Sequence, residues 1–523
     1  MGFYSRVITL LAFGSLVAAA SNPCCDALAA TFPDKVVGSG SSFQSIKDSY
    51  WTNQAGAVTP SCFLQPANGG DVSVAVKILT QPQFRELPAC KFAVRSGGHT
   101  GWAGAASVEG GVTIDLSKMK EVVVSQDKRM VMLGPGSRWG EVYPQLEEQG
   151  VAVSGGRWGN VGVGGLLTGG GLSFFQGLEG LACDGILNHE VVLGNGSIVN
   201  ANSRENADLH RALKGGSNNF GIVIRFYVKA FPHTDIWGGM IVGGGRQTQS
   251  VEWFQNFANS SAPDWDPHGM TMFALGSYMG VSGGGSLATY SKAQSSAPAI
   301  FQPFYRTSLS TTTKLTTISN VAANNAALMA EGGRNLWATM THANSAEFME
   351  ELMAFAKEKG GEMPSLSSGI SVVFQPLWRA SRVRSFAQTG GNSHGLEDSN
   401  DDLVIVLATT TWTSSGSEEL VNKVMEEFID EAQKMAKARG VFNRFIYTNY
   451  AAGWQDPMRG YGQRSLEFLR EVSRKYDPGQ VFQKQVPGGF KLQRPIVQEA
   501  IGGGSNLRDS QKGGSPGPSE LDA

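Results

Sequence analysis

The sequence predicts an α+β protein in two successive blocks, and three observations carry that expectation. Short alternating apolar runs recur along the chain between amphipathic helical stretches, without the strict strand-helix-strand repeat of a parallel sheet. Glycine is in excess, 67 of 523 residues; that is about 13% where roughly 7% is usual. The glycines sit between strand-like runs, where they serve tight turns and close backbone approach. Near His233 the texture changes from short glycine-rich segments to longer strands alternating with longer helices.

Taken in order, the first twenty residues, MGFYSRVITLLAFGSLVAAA, place Arg6 before an apolar run that ends in Ala18, Ala19 and Ala20. That run is too short for the roughly twenty residues that cross a bilayer, and its three-part pattern predicts a secretory signal over residues 1–20. No later segment is long and apolar enough to anchor the chain. Of five cysteines, Cys24, Cys25, Cys62 and Cys90 crowd the first ninety residues. In an exported chain they predict one or two disulfides, with the pairing open. Cys183 is left over as a buried thiol. Asn195-Gly-Ser and Asn259-Ser-Ser are glycosylation candidates in the same compartment.

A helix is expected from Asp71, which caps it, with Val72, Ala75, Val76 and Leu79 on one face. KFAVR, GGVTIDL and RMVMLGPG read as three strands. Trp139 to Glu148 reads as a short helix with Val142 and Leu146 inward, stopped by Gly150. EVVLGNGSIVNA has the form of a hairpin around Asn195-Gly196, NADLHRALKGG of a helix, and FGIVIRFYVKAF of a strand. Beyond His233, GGMIV, MTMFAL, ISVVFQPLW and LVIVLATTTW are strands; Ser345 to Lys359, with Asn344 and Glu347 as a capping box, and Glu418 to Arg439 are helices. Strands with segregated helices predict an antiparallel sheet covered on one side. The tail beyond about Gly502 is polar, rich in Gly, Ser and Pro, and expected to be disordered.

Forty-three basic residues against forty-five acidic ones, without a basic block, argue against nucleic acid as a partner. The histidines lack metal-ligand spacing, so no metal is expected. Chemistry concentrates in two glycine stretches, RSGGHT (Arg95 to Thr100) and SGGRWGNVGVGGLLTGGG (Ser154 to Gly171). Successive glycines let backbone N–H groups converge on a pyrophosphate. Neither stretch has the strand-turn-helix setting of the nicotinamide dinucleotide fingerprint.

RSGGHT, GGVTIDLS, the GPGSRWGEVY turn, SGGR…VGVGGLLTGGG, Asp184 after GLA, DLHRALKGGSNNFGIV and the terminal YTNYA…QDP…YG…KYDPGQVFQ follow one another in fixed order. Together they resemble the berberine-bridge-enzyme-like FAD-linked oxidoreductases of the vanillyl-alcohol-oxidase superfamily, fungal secondary-metabolism type, over about residues 25 to 492. The resemblance implies a two-part PCMH-type FAD-binding domain (21–232), a substrate domain with an antiparallel sheet (233–440), a C-terminal segment that completes the FAD site (441–495) and a tail (496–523). It implies an oxidase that passes hydride from a small organic substrate to FAD and releases hydrogen peroxide from molecular oxygen. The chain is expected to be a secreted monomer. An oligosaccharide oxidase, or a cyclase with structural flavin, are the alternatives.

Carried over residue by residue, the resemblance makes His99 the covalent attachment point at the flavin 8α-methyl, which raises the flavin potential and prevents loss of cofactor. It assigns Arg95, Ser96, Gly97, Gly98, Thr100, Val161, Gly162, Gly165, Thr168, Gly169, Gly170, Asp184, Gly221, Ile222, Val223 and Asn449 to FAD binding. Tyr450, then Tyr447, are the catalytic base candidates. Many members carry a second anchoring cysteine where this chain has Trp158, so a single link is expected, and Val161 is the small type that admits oxygen. Gln375, Pro376 and Trp412 fall on strands of the second block, where core packing accounts for them equally well.

Overall fold

The computed structural model describes residues 22–233, 235–243, 247–278, 281–329 and 331–493. The expected signal (1–20) and tail (496–523) lie outside them. Mixed helix and sheet are present as expected, in three sheets. Cys62–Leu64, Val112–Asp115 and Phe92–Arg95 run parallel, with Val36–Val37 antiparallel at the edge. Two bridges, Cys24–Cys90 and Cys25–Cys62, tie the first helix, Pro23–Thr31, to this sheet, while Cys183 is free and buried. A second, antiparallel sheet is centred on Ile222–Pro232, flanked by Met130–Leu133 and Ile186–Val192. The expected hairpin is present between Ile186–Val192 and Ile198–Asn202, with Gly196 at φ +79° in its turn.

The third sheet has nine strands, all antiparallel. Its inner strands, Ser371–Leu377 and Leu403–Trp412, show how period-two alternation divides its faces. Val372, Phe374, Val404, Val406 and Ala408 pack with the inward residues of helices Ala346–Lys359 and Glu418–Ala438. Val373, Leu377, Ile405 and Leu407 face the opposite way, into a core shared with Trp139, Trp158, Tyr447 and Tyr450. Gln375 shares that side by register, and so does Trp337 on Arg334–Ala343, whose Leu336, Ala338 and Met340 pack toward the helices. The uncovered face thereby forms a ceiling over the glycine loops.

Two caps differ from expectation. Helix Gly69–Leu79 is capped by Asn68, whose side chain accepts from the Asp71 N–H, while Asp71 accepts from the Ala67 N–H and pairs with Lys35. Ser345, not Asn344, caps Ala346–Lys359 and accepts from the Phe348 N–H. In both cases the residue three positions before an amide that needs a partner takes the cap. Strands Val281–Tyr290 and Arg334–Ala343 were not anticipated; glycines interrupt the first, and the second carries polar residues on its site-facing side.

The C-terminal segment returns to the first sheet. The Asp477 carboxylate accepts from the Val481 and Phe482 N–H groups, and the Phe92 N–H donates to the Gln485 carbonyl. Phe482 and Phe490 thereby become one wall of a cleft.

Candidate active site

The cleft runs between the two glycine loops, with the third sheet above it. RSGGHT leaves strand Phe92–Arg95 and passes against the second loop so closely that a Cβ on Gly97 would stand 2.6 Å from the Gly162 Cα. Gly98 has φ +66°, the left-handed region open to glycine at no steric cost. The Ser96 hydroxyl donates to the Pro135 carbonyl and accepts from the Gly164 N–H, stitching the loops together. His99 projects beyond them into the cleft, its ring stacked on Trp51. Burial pushes its pKa down to about 4, and the Arg138 guanidinium pushes the same way, so the imidazole is neutral at ordinary pH.

Ser96, Gly97, Gly98, His99, Thr100, Val161, Gly162, Gly165, Thr168, Gly221, Ile222, Val223, Tyr447, Asn449 and Tyr450 all line the cleft. Four expected cofactor residues do not. Arg95 lies behind its loop, paired with Asp115 at 3.2 Å and donating to the Ser49 carbonyl and hydroxyl. Gly169 and Gly170 face the C-terminal side, against Asn449 and His394, so their missing Cβ atoms make room for protein. Both Asp184 oxygens are engaged internally, by the Leu181 N–H and the Asn392 amide, which makes it a loop brace.

The two tyrosines have different environments. The Tyr447 oxygen accepts from the Gly171 N–H at 3.1 Å, the Leu172 N–H at 2.9 Å and Asn449 Nδ2 at 3.2 Å, and burial raises its pKa. That phenol anchors the second glycine loop. Tyr450 accepts from Arg157 Nη2 at 2.7 Å and donates to Gln375 Oε1 at 2.9 Å. Trp337 meets its ring edge-on at 5.3 Å. Arg157 is 4% exposed, and its side-chain partners, Tyr450, Gln375 and the Met270 sulfur, are all neutral. A buried guanidinium so placed makes a charge-assisted hydrogen bond to the tyrosine oxygen.

Sequence reasoning passed over Arg157, Trp51 and Trp337 and left Gln375 undecided. The available signals were a charged residue inside a glycine run, SGGRWG, and a polar residue in an apolar strand, VVFQPL. Trp412 packs on the helix side of the sheet, away from the cleft.

The wall suits a large anionic dinucleotide. Backbone, not side chain, lines it at Gly97, Gly98 and Gly162, and no Asp or Glu is among its described residues. Trp102 and Trp337 each present a buried indole N–H without a partner, and such donors suit the carbonyl acceptors of a flavin ring.

Residues 60–202 match the family described as "FAD binding domain". The chain is 35% identical to the FAD-dependent monooxygenase drtC of Aspergillus calidoustus over 484 residues, 91% of each chain. It is 35% identical to the FAD-dependent monooxygenase sdcF of Emericella nidulans, covering 91% of this chain and 100% of that one. The chain belongs to the berberine-bridge-enzyme-like family of FAD-linked oxidoreductases.

Among solved structures, glucooligosaccharide oxidase of Acremonium strictum superposes with a TM-score of 0.73 at 20% identity, covering 88% of this chain and 98% of that one. Berberine-bridge-enzyme-like 1 of Physcomitrella patens gives 0.71 at 18%, covering 90% and 100%. At these identities the likeness is one of fold. Like other berberine-bridge-enzyme-like proteins, this one is an FAD-dependent oxidoreductase.

Proposed function

We propose that this berberine-bridge-enzyme-like protein is a secreted oxidase that removes hydride from a small organic molecule of the secondary-metabolite kind and returns the electrons to oxygen as peroxide. The observation that carries the reading is the placement of Tyr450, held between Arg157 and Gln375, in the same cleft as a neutral His99 between backbone-lined loops. When bound, FAD supplies the hydride acceptor. The cofactor-binding residues are those that line the cleft, with Arg95 and Asp184 holding the loops from behind.

Tyr450 takes the proton of the substrate hydroxyl as hydride leaves the adjacent carbon. The proton converts a Tyr450 phenolate, paired with the Arg157 guanidinium, into the neutral phenol, whose direction Gln375 fixes as its hydrogen-bond acceptor. Tyr447 keeps the second loop in place. His99, neutral and reaching into the cleft, is the single covalent attachment point; Trp158 lines the cleft where a second anchor would stand, and an indole cannot form a thioether. The wall near Tyr450 includes Leu172 and Trp337, which favours a largely apolar substrate over an oligosaccharide.

The test is stoichiometric. An oxidase releases one peroxide per product and leaves label from ¹⁸O₂ out of it, whereas a monooxygenase, the activity for which the fungal relatives are named, incorporates one labelled atom. Peroxide release on a sugar panel alone supports the oligosaccharide alternative, and turnover without oxygen uptake supports the cyclase. Two disulfides fit secretion, as does Asn195, exposed in its hairpin turn for a glycan; the mature N-terminus of the exported chain tests the cleavage near Ala20. The division into 21–232, 233–440 and 441–495, and a monomeric state, belong to the same proposal.

A further inference from the structure

We infer that Trp51 is the positioning residue that holds the His99 ring for attachment to the flavin, an inference that rests on the linkage proposed above. The indole and imidazole planes lie within 8° of each other with centroids 4.4 Å apart. Trp51 is 2% exposed and stands behind His99, outside the cleft wall. Its own backbone is held at both ends: its N–H donates to the Gly98 carbonyl at 3.1 Å, and its carbonyl accepts from the Gly332 N–H at 3.0 Å. Trp337 packs edge-on against its ring at 4.9 Å.

The neighbours of Trp51 make a strap of Tyr50 to Gln54. The Tyr50 hydroxyl donates to the Ala106 carbonyl and the Thr52 hydroxyl to the Gly101 carbonyl, each at 2.9 Å, both in the chain just beyond His99. On the other side, the Asn53 N–H donates to the Gly333 carbonyl at 2.9 Å and Gln54 Nε2 to the Asn335 carbonyl at 2.6 Å. One short segment thereby couples the His99 loop to the strand that carries Trp337. Apart from the Trp51 N–H bond to the Gly98 carbonyl, none of these bonds is made to the glycine loops that would cradle the pyrophosphate.

The need for such a device follows from the loop. Gly97 and Gly98 allow the close backbone approach but confer no stiffness, and the terminal torsion of a histidine side chain is broad. Attachment forms a bond between a ring nitrogen of neutral His99 and the flavin 8α carbon. One proton leaves the methyl group and one the imidazole N–H. The electron pair reduces the ring, and dioxygen then takes the pair and both protons as hydrogen peroxide. The attacking nitrogen must point at that carbon, and a flat stack orients the imidazole without occupying either nitrogen.

The test compares wild type, W51F and W51L. Total FAD is read from the visible spectrum of the native protein, and attached FAD from the flavin that stays on the chain through acid precipitation, followed over time in air. W51F is expected to attach FAD within about two-fold of the wild-type rate and W51L on the order of ten- to a hundred-fold more slowly, with total FAD unchanged. Attachment in W51L at the wild-type rate, or in W51F as slow as in W51L, overturns the inference. Should W51L bind no FAD, W51M, which fills the space with an apolar chain, replaces it and the same outcomes decide. Wild-type FAD that acid releases overturns the linkage and this inference together; retention in wild type and W51L alike overturns the role of Trp51 alone.

Discussion

At the scale of single residues, the chemistry turns on one phenol oxygen. Tyr450 is the group near the ceiling whose hydroxyl both accepts from a cation and donates to a neutral amide. Y450F is expected to lower turnover by about 10² to 10⁴, the range for loss of a positioned base, while FAD content stays at the wild-type level; full turnover in the variant would reduce Tyr450 to packing. Y447F should behave differently. It leaves the Gly171 and Leu172 N–H groups without their acceptor, at a cost of about 1–3 kcal/mol each when buried, so its effect should appear in thermal stability and FAD retention together. The sequence named both tyrosines but could not separate them, because the difference lies in Arg157 and Gln375, 293 and 75 residues distant in the chain.

At the scale of elements, the glycine loops work by exclusion. A methyl on Gly97 would meet the Gly162 backbone on the opposite loop, where neither side can yield without opening the cleft. G97A is therefore expected to lose most bound FAD, read as the ratio of flavin to protein absorbance, whereas alanine at Gly361, outside the cleft and with open space for the added Cβ, should retain it. Motif order identified these loops, since a fixed succession of glycine runs is legible in one dimension. Which face of a loop meets the cofactor is not. Arg95, Gly169, Gly170 and Asp184 sit in the right loops and turn toward protein. Period-two alternation did carry the third sheet: the residues of VVFQPL that share the register of Val373 face the site, and Gln375 is among them. Trp51 left no trace in the sequence, because its role depends on a ring 48 positions later.

At the scale of the whole molecule, burial of histidines sets a pH dependence. His342 and His394 are fully buried, and burial pushes each pKa down to about 4, below the roughly 6.5 of an unfolded chain. Between those values the unfolded state binds more protons, so stability is complete above about pH 6.5 and falls as pH drops toward about 4, by up to about 1.4 kcal/mol per unit per histidine. Thermal melting at pH 7.5 and pH 5 should show the loss on the acid side; equal midpoints would contradict it. The same cleft, closed by the returning C-terminal segment, makes the central claim directly measurable. In-gel flavin fluorescence of the denatured protein is predicted to stay with the wild-type band and to be absent from H99A. A dark wild-type band, or an H99A band as bright as wild type, would contradict attachment of FAD through His99.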